Sequence, residues 1–105
     1  MLSLLIRDVL GYEYHEAAEA EYLEAVNYYS TIEPDLGSAF VAELEAAIER
    51  ARQFPAAYGK ITANLRHVRT HRFPYAIIYE VLEDRIFIWA VAHGSREPGY
   101  WEGRL

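Results

Sequence analysis

The chain has 105 residues and no cysteine, and 52% of its residues are hydrophobic while 25% are charged. This composition excludes a disordered or fibrous protein and predicts one globular domain over residues 1–105. Without cysteine, disulfides and thiolate metal sites are excluded. The N-terminal apolar run over residues 2–6 is too short for a membrane span and lacks the features of an export signal, so we expect a cytoplasmic protein with no membrane partner.

Charge is distributed unevenly along the chain. The formal net charge is −6, which argues against a general nucleic-acid-binding protein. Residues 1–54 carry three basic and eleven acidic side chains, a balance of −8, whereas residues 55–105 carry seven and five, a balance of +2. Residues 60–72 contain four basic side chains and no acid. The sequence therefore predicts an acidic half and a locally basic segment in the same domain.

Two amphipathic helices are predicted in the acidic half. Over residues 16–31, apolar side chains recur at helical spacing, namely Ala18, Tyr22, Ala25, Val26 and Tyr29. The glutamates are expected on the solvated side of this helix, namely Glu16, Glu19, Glu21 and Glu24. Pro34 suits the first turn of a second helix, which ends at Phe54-Pro55. The pair predicts an antiparallel helical hairpin.

Three strands are predicted after residue 60, over residues 65–70, 75–82 and 86–92, with a turn at Glu83-Asp84. In the second strand Tyr75, Ile77, Tyr79 and Val81 are expected on one face. The third strand is apolar on both faces, with Ile86, Ile88 and Ala90 set against Phe87, Trp89 and Val91, which is typical of a covered strand. Helices followed by strands predict an α+β fold, a helical hairpin packed on a twisted antiparallel sheet.

The basic segment is the first candidate for function. It contains Arg66, His67, Arg69, His71 and Arg72 on or beside one strand. Strand alternation puts residues 67, 69 and 71 on one face and residues 66 and 72 on the other, so strand geometry alone does not direct them to one phosphate. The alternative interpretation is a charged edge strand that deters aggregation.

The C-terminal run that follows the last strand is the second candidate. His93 and Arg96 could supply a proton-transfer group and a charge clamp, and Tyr100 and Trp101 could supply a stacking surface. In the alternative interpretation the run folds back, Trp101 closes the core and Arg96 pairs with an acid. Because the sequence has neither a Gly-rich phosphate loop nor metal-ligand spacing, we expect no cofactor and no metal.

A series of short motifs resembles the RelE/ParE toxin superfamily. The likeness runs in unbroken order from about residue 12 to residue 104. Its motifs are Glu16-Ala17-Ala18, Ala25-Val26-Asn27-Tyr28-Tyr29, Pro34-Asp35-Leu36-Gly37-Ser38-Ala39-Phe40, Arg72-Phe73-Pro74-Tyr75-Ala76-Ile77-Ile78-Tyr79 and Ala90-Val91-Ala92-His93, followed by Arg96, Pro98, Tyr100, Trp101 and Arg104.

The resemblance implies the toxin of a type II toxin–antitoxin module, of the kind that stabilises plasmids, with a cognate antitoxin as partner and a homodimer as a further alternative. It implies the element order β-α-α-β-β-β, with a first strand near Tyr12-Glu13-Tyr14 and a short C-terminal turn or helix. Residues 1–10 then form an N-terminal extension. Two activities occur in the superfamily, inhibition of DNA gyrase and ribosome-dependent cleavage of messenger RNA.

The residues favour the gyrase-directed, ParE-like branch, and with it a protein that acts by binding, while the enzymatic alternative stays open. The branch that cleaves RNA commonly has an arginine directly after the tyrosine of the central strand, whereas Ala76 follows Tyr75 here. If the chain were a metal-independent endoribonuclease, the resemblance would make His93, Arg96 and Tyr100 the catalytic residues. A third alternative is a degenerate, non-toxic module that only binds the antitoxin.

The expected target-binding surface consists of charged side chains, namely Arg66, Arg72, His93 and Arg96. We expect these side chains on an outer strand and at a strand end. Tyr75, Tyr79 and Trp89 are expected to be structural, because they lie on apolar strands.

Overall fold

The computed structural model describes residues 10–105. It contains seven elements, namely β1 (Gly11–Tyr14), α1 (Glu16–Ile32), α2 (Pro34–Gln53), β2 (Leu65–Arg69), β3 (Tyr75–Val81), β4 (Arg85–His93) and a C-terminal 3-10 helix (Glu102–Arg104). The predicted α+β order is confirmed. The N-terminal extension expected at residues 1–10 lies outside the described residues, apart from Leu10.

The two helices form the predicted hairpin, and their ends have identifiable local causes. The ring Nδ1 of His15 accepts the N–H of Ala17 at 3.0 Å and so caps the start of α1. Pro34 occupies the start of α2, where a missing N–H costs nothing. At Gly37 the helices approach closely, since an added Cβ would lie 2.9 Å from the Cβ of Ser30. The hairpin therefore depends on the absence of a side chain at Gly37.

The sheet has four strands in the order β1-β4-β3-β2. The pairs β2–β3 and β3–β4 are antiparallel as expected, but β1 pairs with β4 in parallel, from Gly11 opposite Arg85 to Tyr14 opposite Ile88. The sheet is therefore mixed, and the expectation of a purely antiparallel sheet is wrong at this edge. Both helices and two strands lie between β1 and β4 in the chain, so no tight turn joins these two strands. The relative direction of β1 and β4 is therefore set by this long crossover connection.

A β-bulge at Trp89 changes which side chains of β4 face the helices. Ile78 pairs with Ala90 and Tyr79 pairs with Ile88, so Trp89 has no partner residue on β3. Beyond the bulge Val91 lies in the helix-side core and Ala90 on the opposite face. The strict alternation expected along β4 is therefore wrong after Ile88, because one extra residue reverses the faces that follow.

The main core lies between the helices and the sheet. It includes Phe40, Leu44 and Ile48 of α2, which pack with Ile77 and Tyr79 of β3. The predicted orientation of Ile77 and Tyr79 toward one face is confirmed, and Tyr79 is fully buried.

A smaller apolar cluster lies on the other face of the sheet. Trp101 folds back onto it and packs with Leu65, Ile78, Ala90 and Ala92, which confirms that the C-terminal run closes a core. Trp89 is half-buried on this face and donates its indole N–H to Glu80 at 3.1 Å. No helix within residues 10–105 is long and apolar enough to cross a membrane.

Candidate functional site

A cleft of about 210 Å³ lies between α1 and the C-terminal end of β4. We call it the α1–β4 cleft. One wall comes from α1, the floor from β3 and β4, and the other wall from the residues that follow β4. Its lining consists of Glu21, Glu24, Ala25, Tyr28, Tyr75, Val91, His93 and Arg96. The cleft therefore has an apolar floor, an acidic wall and a basic wall.

Glu21 ties the C-terminal segment to α1. Its carboxylate accepts hydrogen bonds from the Tyr100 hydroxyl at 2.8 Å and from two guanidinium nitrogens of Arg104 at 3.0 and 2.7 Å. It also accepts the backbone N–H of Val91 at 3.0 Å. Because the Glu21 and Arg104 side chains are only 13% and 17% exposed, this is a largely buried, fully hydrogen-bonded ion pair. We call it the Glu21 clamp.

The Glu21 clamp exists because β1 is shorter than β4. β1 ends at Tyr14, opposite Ile88, so among residues 10–105 the edge of β4 beyond that point has no neighbouring strand. There Glu21 accepts the Val91 N–H, and Arg104 donates to the Trp89 carbonyl at 2.9 Å. Glu21 and Arg104 thus satisfy the Val91 N–H and the Trp89 carbonyl, which a longer β1 would otherwise satisfy by continuing its pairing with β4.

The clamp shifts the pKa values of its members in ways that keep it ionised. Burial alone would raise the pKa of Glu21, but hydrogen bonds from Arg104, Tyr100 and the Val91 N–H outweigh it, and the net pKa lies below its ordinary value. The hydrogen bond to Glu21 raises the pKa of Arg104. Burial, together with the hydrogen bond to Glu21, raises the pKa of Tyr100, so its hydroxyl stays protonated.

His93 and Arg96 lie together on the basic wall. The ring of His93 packs edge-on against Tyr75, with centroids 5.0 Å apart. Its Nδ1 accepts the backbone N–H of Ser95 at 2.9 Å, which requires an unprotonated Nδ1. The guanidinium of Arg96 lies 3.8 Å over the ring of Tyr100 and is 52% exposed. Arg96 is therefore available to a ligand.

The structure separates the four charged residues that we predicted as one surface. His93 and Arg96 line the cleft, whereas Arg72 is exposed in the turn after β2. Arg66 aligns with Tyr79 and Ile88, at the other end of the sheet from His93. Its guanidinium faces the helix layer and donates to the carbonyls of Ala56 and Tyr58. Arg66 and the cleft therefore belong to different surfaces.

Three residues of the cleft and the Glu21 clamp are not among the predicted site residues, namely Glu21, Tyr28 and Arg104. We expected Glu21 on the solvated side of α1, and that expectation is wrong. A signal exists in the sequence, because Glu21 lies three residues after Ala18 and four before Ala25, both of which are buried. A carboxylate on the apolar stripe of a helix points to a buried cation. The expected pairing of Arg96 with an acid is weak, since Arg96 lies 3.9 Å from Glu21 and Arg104 makes the close contacts.

Within residues 10–105, no group of three His, Asp or Glu side chains is arranged to hold a metal ion. The cleft offers hydrogen-bond donors on one wall and an exposed tyrosine ring on the other. Tyr28 is 61% exposed. This arrangement can bind a segment that combines apolar and anionic groups.

Comparison with known proteins assigns the family. The family model described as "ParE toxin of type II toxin-antitoxin system, parDE" matches residues 12–98. The chain belongs to the ParE toxin family. The predicted resemblance to the ParE-like branch is confirmed, and the chain is a ParE-type toxin of a type II toxin–antitoxin system.

Individual relatives agree with this assignment. The chain is 28% identical over 92 residues to Toxin ParE2 from two strains of Mycobacterium tuberculosis, which covers 87% of this chain and 88% of the relative. Its fold is similar to a structure titled "Chromosomal ParDE TA system from P. aeruginosa", with a TM-score of 0.69 at 14% identity. That match covers 82% of this chain and 97% of the other. In this ParE-type toxin, the matched range of residues 12–98 includes all the residues that line the α1–β4 cleft, and it also includes Glu21 of the Glu21 clamp.

Proposed function

We propose that this ParE-type toxin inhibits growth by binding DNA gyrase and that a cognate antitoxin neutralises it by direct contact in the cytoplasm. The observation that carries this proposal is the chemistry of the α1–β4 cleft. It is an open binding surface in which Glu21 is engaged in holding the fold, whereas the Arg96 side chain is 52% exposed. The proposed surface consists of His93 and Arg96, with Tyr28 across the cleft.

The cleft supports binding more than RNA cleavage. Cleavage of RNA by protein side chains needs a free acid–base pair beside a charge clamp. The Tyr100 hydroxyl donates to Glu21 and its pKa is raised, so Tyr100 is not free to act as the general acid or base. Ala76, at the position where the RNA-cleaving branch commonly has arginine, supplies no charge. Arg96 alone remains free to hold an anion.

The same cleft suits an antitoxin segment. Tyr28 and Ile32 of α1 are large apolar side chains that stay 61% and 59% exposed. Exposed apolar side chains beside a cleft favour the docking of an amphipathic helix or an extended strand. Antitoxin and target would then compete for Arg96, which gives a direct mechanism for neutralisation.

The decisive experiment compares two activities of the purified toxin. Supercoiling by gyrase should be inhibited, whereas messenger RNA on programmed ribosomes should stay intact. Arg96→Ala should weaken inhibition, and the matched control Arg85→Ala, an ion-paired arginine at the start of β4, should not. Ribosomal cleavage with gyrase untouched would reverse the assignment and make His93, Arg96 and Tyr100 the catalytic candidates.

An assay in cells tests the antitoxin part of the proposal. Expression of the toxin alone should arrest growth, and co-expression of the antitoxin should restore it. Tight antitoxin binding without any growth phenotype would instead identify a degenerate, non-toxic module.

A further inference from the structure

A second concave surface lies between the end of α2 and the turn that joins β3 to β4. It has a volume of about 540 Å³ and is lined by Leu10, by residues 52–55 and by residues 81–83. We call it the Phe54 groove. The Phe54 and Val81 side chains in its walls are 60% and 41% exposed. The groove therefore presents large apolar side chains that the described part of the chain leaves uncovered.

The end of α2 explains why the Phe54 ring lies outside the core. The backbone leaves helical geometry at Phe54, whose φ and ψ are −132° and 62°, because a residue that precedes proline avoids the helical region. The apolar stripe of α2 is buried as far as Ala51, whereas the Phe54 ring lies in the groove wall. Contiguous apolar groups of this kind on a surface are typical of an interaction site.

Leu10 joins the groove to the N-terminal part of the chain. The guanidinium Nε of Arg52 donates to the Leu10 carbonyl at 2.7 Å, and the Gly11 N–H donates to the Asp84 carbonyl at 3.0 Å. These bonds fix the start of β1 at the groove wall. Because three extended residues span about 10 Å, the residues that directly precede Leu10 are long enough to cross the groove.

The composition of residues 2–9 matches the groove. Arg7 and Asp8 are the only charged residues of this segment, and the groove likewise contains one cation, Arg52, and one anion, Glu83. Glu83 forms no ion pair within residues 10–105, so Arg7 has a carboxylate partner within reach. The segment also contains five large aliphatic side chains, namely Leu2, Leu4, Leu5, Ile6 and Val9.

We propose that residues 2–9 of the same chain occupy the Phe54 groove. A segment attached to the groove wall has an effective concentration of about millimolar, whereas an antitoxin or a second copy must find the groove from solution. Contact between the aliphatic side chains and the walls removes both apolar surfaces from water, which is favourable in proportion to the area buried.

The Phe54 groove and the α1–β4 cleft lie at opposite ends of the sheet. Val81 of the groove pairs with Ile86, whereas Tyr75 and His93 of the cleft pair with each other at the far end of β3 and β4. The N-terminal segment therefore stabilises the fold without closing the cleft.

Disulfide trapping tests this contact in the full chain, which has no cysteine of its own. Leu5→Cys and Ile6→Cys are each combined with Val81→Cys. Neighbouring side chains point in different directions in a helix and in a strand, so one of the two variants should place its thiol at Val81→Cys. Under mild oxidation that variant should lose both thiols and stay monomeric on a non-reducing gel, because a disulfide requires Cα atoms within about 7 Å.

The matched control combines the same N-terminal cysteines with Glu13→Cys. Glu13 is three residues from Leu10 and is 53% exposed, but it lies on the opposite face of the sheet from Tyr14, which packs against the main core. This control should keep its thiols. Equal closure at both positions, or closure at neither, would overturn the proposal. A disulfide-linked dimer would make a second copy the occupant and would also overturn it.

Thermal unfolding provides a second test that needs no cysteine. If residues 2–9 cover the groove, Phe54→Gln should lower the Tm by about 5–10 °C. The double variant Leu5→Gln, Ile6→Gln should lower the Tm by a similar amount. Combining all three changes should give much less than the sum, because they remove the same contact. The control Leu23→Gln, at a leucine of α1 that is 63% exposed, should keep the wild-type Tm.

The outcome of the unfolding test is equally definite. A wild-type Tm for Phe54→Gln, or losses that add in the combined variant, would overturn the proposal.

Discussion

Replacing Glu21 by glutamine removes the negative charge of the Glu21 clamp and keeps the shape of the side chain. The wild-type carboxylate accepts hydrogen bonds from Tyr100, from Arg104 and from the Val91 N–H. Each hydrogen bond to a charged group contributes about 1.5–3 kcal/mol. Removing one partner of a fully buried ion pair costs about 3–5 kcal/mol.

Because glutamine keeps one acceptor oxygen and the site is slightly exposed, we expect a loss of about 2–3 kcal/mol in the free energy of unfolding. For a domain of this size 1 kcal/mol corresponds to about 4–8 °C. The Tm of Glu21→Gln should therefore be lower by about 10–20 °C at pH 7. The matched control is Glu24→Gln. Glu24 lies one turn away on the same helix, is exposed and makes no hydrogen bond among the described residues. This control should change the free energy of unfolding by less than about 0.5 kcal/mol.

The pH dependence tests whether charge is the cause. The pKa of Glu21 lies below its ordinary value of 4.5 in the folded state, so its contribution to stability is present above about pH 5. That contribution is lost as the pH falls through the lowered folded-state pKa. Thermal unfolding followed by circular dichroism should therefore show a gap between wild type and Glu21→Gln that narrows from pH 7 to pH 3. A Tm no lower than that of Glu24→Gln, or a gap that does not depend on pH, would refute this reasoning.

Three further predictions concern the core and the cleft. Gly37→Ala should lower the Tm, because its Cβ would contact Ser30 and overpacking costs about 1–3 kcal/mol; Gly103→Ala, which has open space, should not. Tyr79→Phe should cost about 1 kcal/mol in a urea titration, since its buried hydroxyl donates to a backbone carbonyl at 2.8 Å. Arg96→Ala should change the free energy of unfolding by less than about 0.5 kcal/mol, because the Arg96 side chain is 52% exposed. The same variant should weaken gyrase inhibition. If the variant unfolds instead, Arg96 belongs to the core.

The elements that the sequence alone predicts are those with a local cause. The apolar stripes, Pro34 and the break at Phe54-Pro55 define both helices to within one or two residues. The alternation along β3 places Ile77 and Tyr79 on the correct face. Each of these patterns involves residues that are close in the chain, and burial of one face is enough to produce them.

The proposed binding surface is only partly predictable from the sequence. His93 and Arg96 are candidates because they follow a buried strand, and the structure places them together in the cleft. The charge of Arg66 groups it with them in the sequence, yet the register of β2 places it toward the other end of the sheet. Charge is a property of the sequence, whereas adjacency across strands depends on register.

Only the tertiary structure decided the features that join distant parts of the chain. The bulge at Trp89 reverses the faces of Ala90 and Val91, and no local pattern marks the extra residue. β1 lies parallel to β4 and ends at Tyr14, so within the described part of the chain no strand pairs with the edge of β4 beyond Ile88. Glu21 satisfies that edge although it is 70 residues away from Val91 in the chain. A backbone group left unpaired in the interior must find a partner, and which side chain supplies it depends on the three-dimensional neighbourhood.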